Sequence, residues 1–180
     1  MNIYGEKVVL RAIEERDCEL LREMFNSPEI EHLVVGWAYP LSEYAQKKWY
    51  SNHYDTTEPL RLIIADKDDN ALGMVALTEL DWKNRSAVTG IKIAGKENRG
   101  KGIGTDALKA LIKYCFDELQ LNRIESVWLA DNHASAALHK KVGFKQEGTK
   151  RQAIFCDGRY HDMCIGSILV DEYRSDREKG

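Results

Sequence analysis

The stretch Gly95-Lys-Glu-Asn-Arg99-Gly100-Lys101-Gly102-Ile103-Gly104-Thr105 constrains this chain more than any other. Gly100, Gly102 and Gly104 alternate directly ahead of the best amphipathic segment in the sequence, residues 105–119. There Ala107, Leu108, Leu111, Ile112, Cys115, Phe116 and Leu119 recur at helical spacing and make one continuous apolar face. Glycine adopts backbone conformations closed to other residues and lets a ligand approach with no Cβ in the way. The first turn of the helix that follows has unpaired N–H groups and a partial positive charge, which together favour a phosphate. Arg99 and Lys101 add cations. Three glycines exceed what a tight turn needs, so the stretch reads as an anion-binding loop.

Two common loops of this kind fit poorly. Gly95, Gly100 and Lys101 satisfy G-x-x-x-x-G-K, but Gly102 follows where a nucleotide P-loop needs a magnesium-binding hydroxyl. Gly102, Gly104 and Ala107 satisfy the dinucleotide pattern G-x-G-x-x-A. That loop, however, should spring straight from a strand, whereas charged residues precede this one, and only one further β-α unit follows it.

The surroundings supply the rest of the architecture. Val8, Leu10, Ala12 and Ile13 suggest a first strand, and residues 15–26 carry Cys18, Leu21, Met24 and Phe25 at helical spacing. Residues 41–54 follow as a second helix that Ser42 can cap. Leu60 to Ala65 and Ala71 to Leu80 pair around the turn Asp66 to Asn70, and Ser86 to Ala94 is a further strand. After the long helix come a strand, Arg123 to Ala130, and a helix, Asn132 to Val142, stopped by Gly143. Phe144 to Phe155 and Arg159 to Val170 form a hairpin around Asp157-Gly158. The expected fold is α+β: a mixed, mostly antiparallel sheet with one β-α-β crossover and helices on both faces. Residues 1–180 read as one domain in which about 171–180 is a polar, frayed tail.

Composition narrows the functions. At 43% apolar and 31% charged, with three prolines, the chain is an ordinary globular one. A net charge of -3 argues against a nucleic-acid partner, which demands a basic face. No run of about 18 apolar residues suggests a membrane span, and the charged N-terminus does not read as a signal peptide, so the expected compartment is cytoplasmic. The four cysteines form no C-x-x-C pair, and the five histidines form no H-E-x-x-H, so no metal site is expected.

Arg99, Gly102 and Gly104 form an R-x-x-G-x-G segment between strand and helix, and Asn132, Ser135, Gly143 and Phe144 follow in order. With the opening VVLRAIEERD and the closing GFKQEGTKRQAIFCDGRYHDM, they make the chain resemble the GNAT acetyltransferase superfamily. The closer resemblance is to the branch with ribosomal-protein N-terminal alanine and spermidine acetyltransferases. It covers nearly the whole chain and implies the GNAT fold. It also implies an N-acetyltransferase that passes the acetyl group of acetyl-CoA directly to a primary amine: a protein N-terminus, a polyamine or another small amine. The alternative is a non-catalytic acyl-CoA-binding or regulatory module on the same fold. Homodimers are common among such proteins.

The resemblance also implies site residues. Arg99, Gly100, Lys101, Gly102, Ile103 and Gly104 would bind the pyrophosphate. The strand edge at Ile91, Ile93 and Ala94 would pair with the pantetheine arm, and Asn132 would either bond that arm or simply cap its helix. Lys140 and Lys141 would meet the 3′-phosphate or face solvent. Where the family often has a tyrosine that protonates the leaving thiolate, this chain has His139, whose imidazole can also donate a proton. A glutamate frequent in spermidine-acetylating relatives aligns near Thr89, which cannot act as a base. Glu79 is the best substitute and Asp81 the next. The acceptor pocket would involve residues 34–54 and the last hairpin; the aromatic loop 36–40 would line or cover it, with Trp37 either there or in the core, and His161 would be either a pocket residue or a structural histidine. Lys92, Lys96, Arg99 and Lys101 form a local positive patch where an anionic coenzyme would dock.

Overall fold

The computed structural model describes residues 1–31, 33, 39–53 and 60–178 of the chain. Among them eight strands form one sheet: β1 Ile3–Tyr4, β2 Val9–Arg11, β3 Leu60–Ala65, β4 Ala71–Asp81, β5 Ser86–Ile93, β6 Arg123–Leu129, β7 Lys145–Cys156 and β8 Arg159–Leu169. Their order across the sheet is β1-β2-β3-β4-β5-β6-β8-β7. Every neighbouring pair is antiparallel except β5 and β6, which the crossover makes parallel. The helices are α1 Cys18–Asn26, α2 Pro28–Glu31, α3 Glu43–His53, α4 Ile103–Asp117, α5 His133–Val142 and α6 Val170–Glu178.

Helices cover both faces, as the sequence predicts. The apolar stripe of α4 packs Leu108, Leu111 and Ile112 against Leu10, Ile64, Val75, Leu77 and Ile124. Full burial of each such side chain contributes about 1.5–3 kcal/mol. On the opposite face Ile63, Ala65 and Met74 pack with Leu21 of α1 and against Trp49 and Tyr50 of α3. Ile63 and Ile64 are neighbours on β3 and point to opposite faces, so a strand covered on both sides reads as a continuous apolar run. Among the described residues no helix is long and apolar enough to cross a membrane.

Two expected boundaries shift. The helix after the glycine loop begins at Ile103 rather than Thr105, so Gly104 lies in its first turn. The expected frayed tail is instead helical to Glu178. Glu172 accepts a hydrogen bond from the Leu169 N–H (3.0 Å), pairs with Lys145 (2.6 Å), and Tyr173 lies 5.1 Å from the Phe116 ring. Polarity alone suggested a tail; one aromatic contact and one capping carboxylate hold it as a helix.

The feature that positions the site is where β5 and β6 stop pairing. They run side by side only from Ser86 to Val88 and from Arg123 to Glu125. Beyond that, β5 continues along β4 to Ile93 and β6 continues along β8 to Leu129. A wedge opens through the sheet between them.

Candidate active site

Strand alternation decides what the wedge presents. The Ala94 N–H bonds the Leu72 carbonyl (2.8 Å), so the even residues at the end of β5 turn their backbone groups toward β4. The odd ones, Thr89, Ile91 and Ile93, therefore turn theirs toward β6 and the open wedge. Ala94 does not join them: its N–H is used, and its carbonyl accepts from Asn98 Nδ2 (2.9 Å). Of the three residues predicted from this strand, Ile91 and Ile93 offer an unpaired edge and Ala94 does not.

A groove of about 390 Å³ leads to the wedge from the glycine loop. Ile91, Ile93, Arg99, Gly100, Gly102, Ile103, Gly104 and Asn132 all line it, so most of the predicted coenzyme residues meet in one place. Gly102 is the N-cap of α4, in the left-handed conformation at φ 83°, and no side chain caps the helix. The first N–H groups of α4 therefore face the groove with no side-chain acceptor among the described residues, which is the arrangement a diphosphate requires. A side chain at Gly102 would be strained by that φ and would meet Lys7 Nζ at 3.2 Å.

The cations are placed differently from the sequence expectation. Lys101 does not line the groove; its carbonyl accepts from Lys7 Nζ (3.0 Å). Lys96 pairs with Glu29 at 2.6 Å, and Lys92 turns to the other face of the sheet, over the Phe25 ring at 4.4 Å. Lys141 lines the groove and also an adjoining pocket with Lys7 and Lys109. Lys140 is exposed and lines neither. Lys7 and Lys109 carry no sequence signal, since only the closure of β1 and β2 over α4 brings them there. Asp106 makes that closure by accepting the N–H groups of Glu6, Lys7 and Val8 at 3.0, 2.8 and 3.0 Å.

Asn132 caps α5, accepting from the Ser135 N–H (3.0 Å), and donates to the Leu33 carbonyl (2.9 Å). The cap read from the sequence is present, and the side chain also lines the groove with one amide hydrogen left.

Where the groove meets the wedge it opens into a chamber of about 230 Å³. Leu33, Ile91, Lys92 and Ser135 line both spaces. Met74, Ala76, Thr78 and Gly90 belong to the face covered by α1 and α3, while Ser126, Trp128 and His139 belong to the α5 face, so the chamber passes through the sheet.

His139 is 3% exposed, stacked on Trp128 (4.7 Å, 15°) and edge-on to Phe144 (5.1 Å). Gly166 makes room for this stack, because a Cβ there would come within 2.5 Å of the Trp128 ring. The His139 Nδ1–H donates to the Ser135 carbonyl (2.8 Å), with Ser135 Oγ at 3.3 Å. Nε2 faces the Ser126 hydroxyl at 2.8 Å, and that hydroxyl also lies 3.1 Å from the Thr89 carbonyl. Burial pushes the imidazole below its ordinary pKa, against a smaller opposing effect of the Ser135 carbonyl. In the neutral ring Nε2 accepts the Ser126 proton; protonation would turn that proton to Thr89. Both ring nitrogens are thus engaged, and the hydroxyl at the junction of groove and chamber is that of Ser135.

The proposed bases lie elsewhere. Val75 and Leu77 face the core, so simple alternation would send Glu79 there too. A bulge after Thr78 breaks the register, Glu79 takes φ 50° and is exposed, and Leu80 packs on the core instead. Glu79 lines neither the groove nor the chamber. Asp81 is committed to the turn, accepting from Asn84 N and Nδ2 at 2.9 and 2.6 Å. Thr89 donates its hydroxyl to the Ala76 carbonyl (3.1 Å). His161 is held between Asp131 (2.9 Å) and Arg159 (3.2 Å) and does not line the chamber. Trp37 and residues 34–38 lie outside the described residues; Tyr39 is exposed.

A family model described as an acetyltransferase (GNAT) domain matches residues 7–145. The "Putative ribosomal N-acetyltransferase YdaF" of Bacillus subtilis is 31% identical over 96% of this chain and 97% of its own length. Spermidine N(1)-acetyltransferase of Vibrio cholerae is 27% identical over 94% of this chain and 96% of its own. A crystal structure of spermidine N-acetyltransferase from Vibrio cholerae in complex with CoA and spermine superposes with a TM-score of 0.87 at 27% identity. It covers 94% of this chain and 99% of that one.

Proposed function

The chain belongs to the GNAT family of N-acetyltransferases, which move the acetyl group of acetyl-CoA to an amine, and on that premise we propose how its own residues divide the work. Arg99 and the N–H groups of Ile103, Gly104 and Thr105 hold the pyrophosphate, where the helix dipole and a nearby cation favour it. Lys7, Lys109 and Lys141 meet the outer phosphate. Ile91 and Ile93 offer their free backbone edge to the pantetheine arm, and Asn132 adds its remaining amide hydrogen. Bound in this groove, acetyl-CoA supplies the activated acetyl group. The amine enters from the opposite face, through the chamber.

Ser135 relays the proton that the departing thiolate needs: its hydroxyl gives one proton to the sulfur as it takes the one that the attacking amine nitrogen loses. With Nδ1–H of His139 directed at the Ser135 carbonyl and Oγ, the Ser135 hydroxyl proton is left to face the groove. His139 then acts as a positioning residue behind Ser135 and Ser126, in place of the direct acid its alignment with a tyrosine suggested. The observation that carries this reading is the meeting of groove and chamber across the splayed strands, which lets two reactants approach from opposite faces.

The test is thiol release from acetyl-CoA in the presence of a peptide with a free N-terminus, a free amino acid, spermidine and an amino sugar. Amine-dependent release with at least one of them is expected. Release no faster than hydrolysis with every amine would sink the reading.

A further inference from the structure

The chamber through which the amine must pass is unusual for its charge. Among its described lining residues there is no carboxylate, and the one formal charge is the ammonium of Lys92. The groove lining likewise contains no aspartate or glutamate. Lys92 leaves β5 on the acceptor face, lines both spaces, and rests its Nζ over Phe25 of α1; no ion pair to it occurs among the described residues. Lys96, four residues further on, has its carboxylate in Glu29.

We propose that Lys92 is the specificity-determining residue of the acceptor site: it excludes polycationic acceptors and selects an α-amine flanked by a carbonyl or carboxylate oxygen, which its ammonium holds. This rests on the acetyl-transfer reading above and names its substrate class. Two chemical arguments converge on it. A polyamine brings several ammonium groups into a space that repels them and offers no carboxylate among its described lining residues. An α-amine, by contrast, has an oxygen two bonds from the nitrogen's carbon, within reach of a lysine donor. The second argument concerns the proton. With no carboxylate base among the chamber's described lining residues, a neutral amine is the form it can use, and a peptide's N-terminal α-amino group (pKa about 7.8) is neutral about 340 times more often at pH 7 than an aliphatic amine of pKa about 10.4. Burial also lowers the Lys92 pKa, the expected result for an ammonium whose hydration has been partly removed and whose oxygen partner comes with the substrate.

The test compares kcat/KM for a short peptide with a free N-terminus, a free amino acid and spermidine in the wild type, Lys92→Arg, Lys92→Gln and Lys92→Glu. The wild type should prefer at least one α-amine over spermidine by at least tenfold, and the peptide and amino-acid arms show which source is used. Lys92→Arg, which keeps the charge and cannot act as a base, should keep the preference. Lys92→Gln should narrow it, and Lys92→Glu should narrow it further or reverse it. Acetyl-CoA binding by tryptophan fluorescence shows that each variant is folded, and Lys92→Gln serves if the glutamate does not fold. A wild type that prefers spermidine, or a preference that survives Lys92→Gln and Lys92→Glu unchanged, overturns the assignment while leaving acetyl transfer intact. Loss of α-amine activity in Lys92→Arg alone would instead make Lys92 the base and also overturn it. Absence of transfer to every amine would bring down both readings.

Discussion

His139 shows how much a single position depends on its surroundings. Its alignment with a tyrosine suggested a proton donor to the thiolate; its place between Trp128, Phe144 and two serines makes it a buried neutral ring. Because burial lowers the folded-state pKa below the unfolded value near 6.5, the neutral ring's contribution to stability is complete above about pH 6.5. It is lost as pH falls through the folded pKa. His139→Gln removes that titration, so the stability gap between wild type and variant should shrink as pH is lowered from 7.5 to 5, measured by calorimetric melting. The same variant should lower kcat with little change in the acetyl-CoA KM. An unchanged kcat would take His139 out of the chemistry, and a pH-independent gap would show that the ring is not buried as described. Cys115 is the inert counterpart: burial in α4 pushes its thiol up to about 12, so it is packing and not a nucleophile.

At the scale of elements, α4 and α6 make opposite points. The stripe on α4 is legible because Leu108, Leu111 and Ile112 repeat at helical period and are all buried. The helix α6 was missed because its sequence is mostly charged and its support is long-range: Tyr173 on Phe116 and Glu172 on Lys145. Tyr173→Ala should therefore cost about 1–2 kcal/mol in urea unfolding, the range for losing a partly buried aromatic pair. No measurable change would mean that the segment frays after all. The outer hairpin is tied in by a different device. Arg123 of β6 pairs with Glu147 of β7 and with Glu125 (2.8 Å), and Ser167 donates to Glu147 (2.7 Å), so the Glu147 carboxyl is lowered to about 2. That tie is present above about pH 4.5 and weakens as the carboxyl protonates toward pH 2. The pair is partly exposed, so salt reduces its worth.

At the scale of the molecule, the sheet works by failing to pair. Three rungs join β5 to β6, and the rest of both strands stands open. Gly90 sits on the chamber wall with nothing within 4 Å of where a Cβ would be. Gly90→Val should fold with stability within about 0.5 kcal/mol of wild type, since the side chain meets only open space. It should raise the amine KM at least tenfold while acetyl-CoA binding is unchanged. Unaltered amine kinetics would show that acceptors do not enter through the chamber.

The sequence by itself determined what is local. The glycine loop and its helix, the caps at Ser42 and Asn132, the Asp66 to Asn70 turn and the hairpin at Asp157-Gly158 depend on residues close in the chain, and periodicity reports them. Ile91, Ile93, Arg99 and Gly102, the proposed coenzyme set, are legible in the same way, and they line one groove because loop and strand adjoin. Tertiary structure alone decided which groups face the wedge. Lys92 and Lys96 are four residues apart, yet one enters the chamber and the other pairs with Glu29. Glu79 is turned outward by a bulge that its own sequence does not announce, and Lys7 and Lys109 reach the pocket beside the groove only when β1 and β2 close over α4. Side-chain direction on a strand has a period of two, so one shifted register moves a charge from site to solvent, and that register is set by strands far apart in the chain.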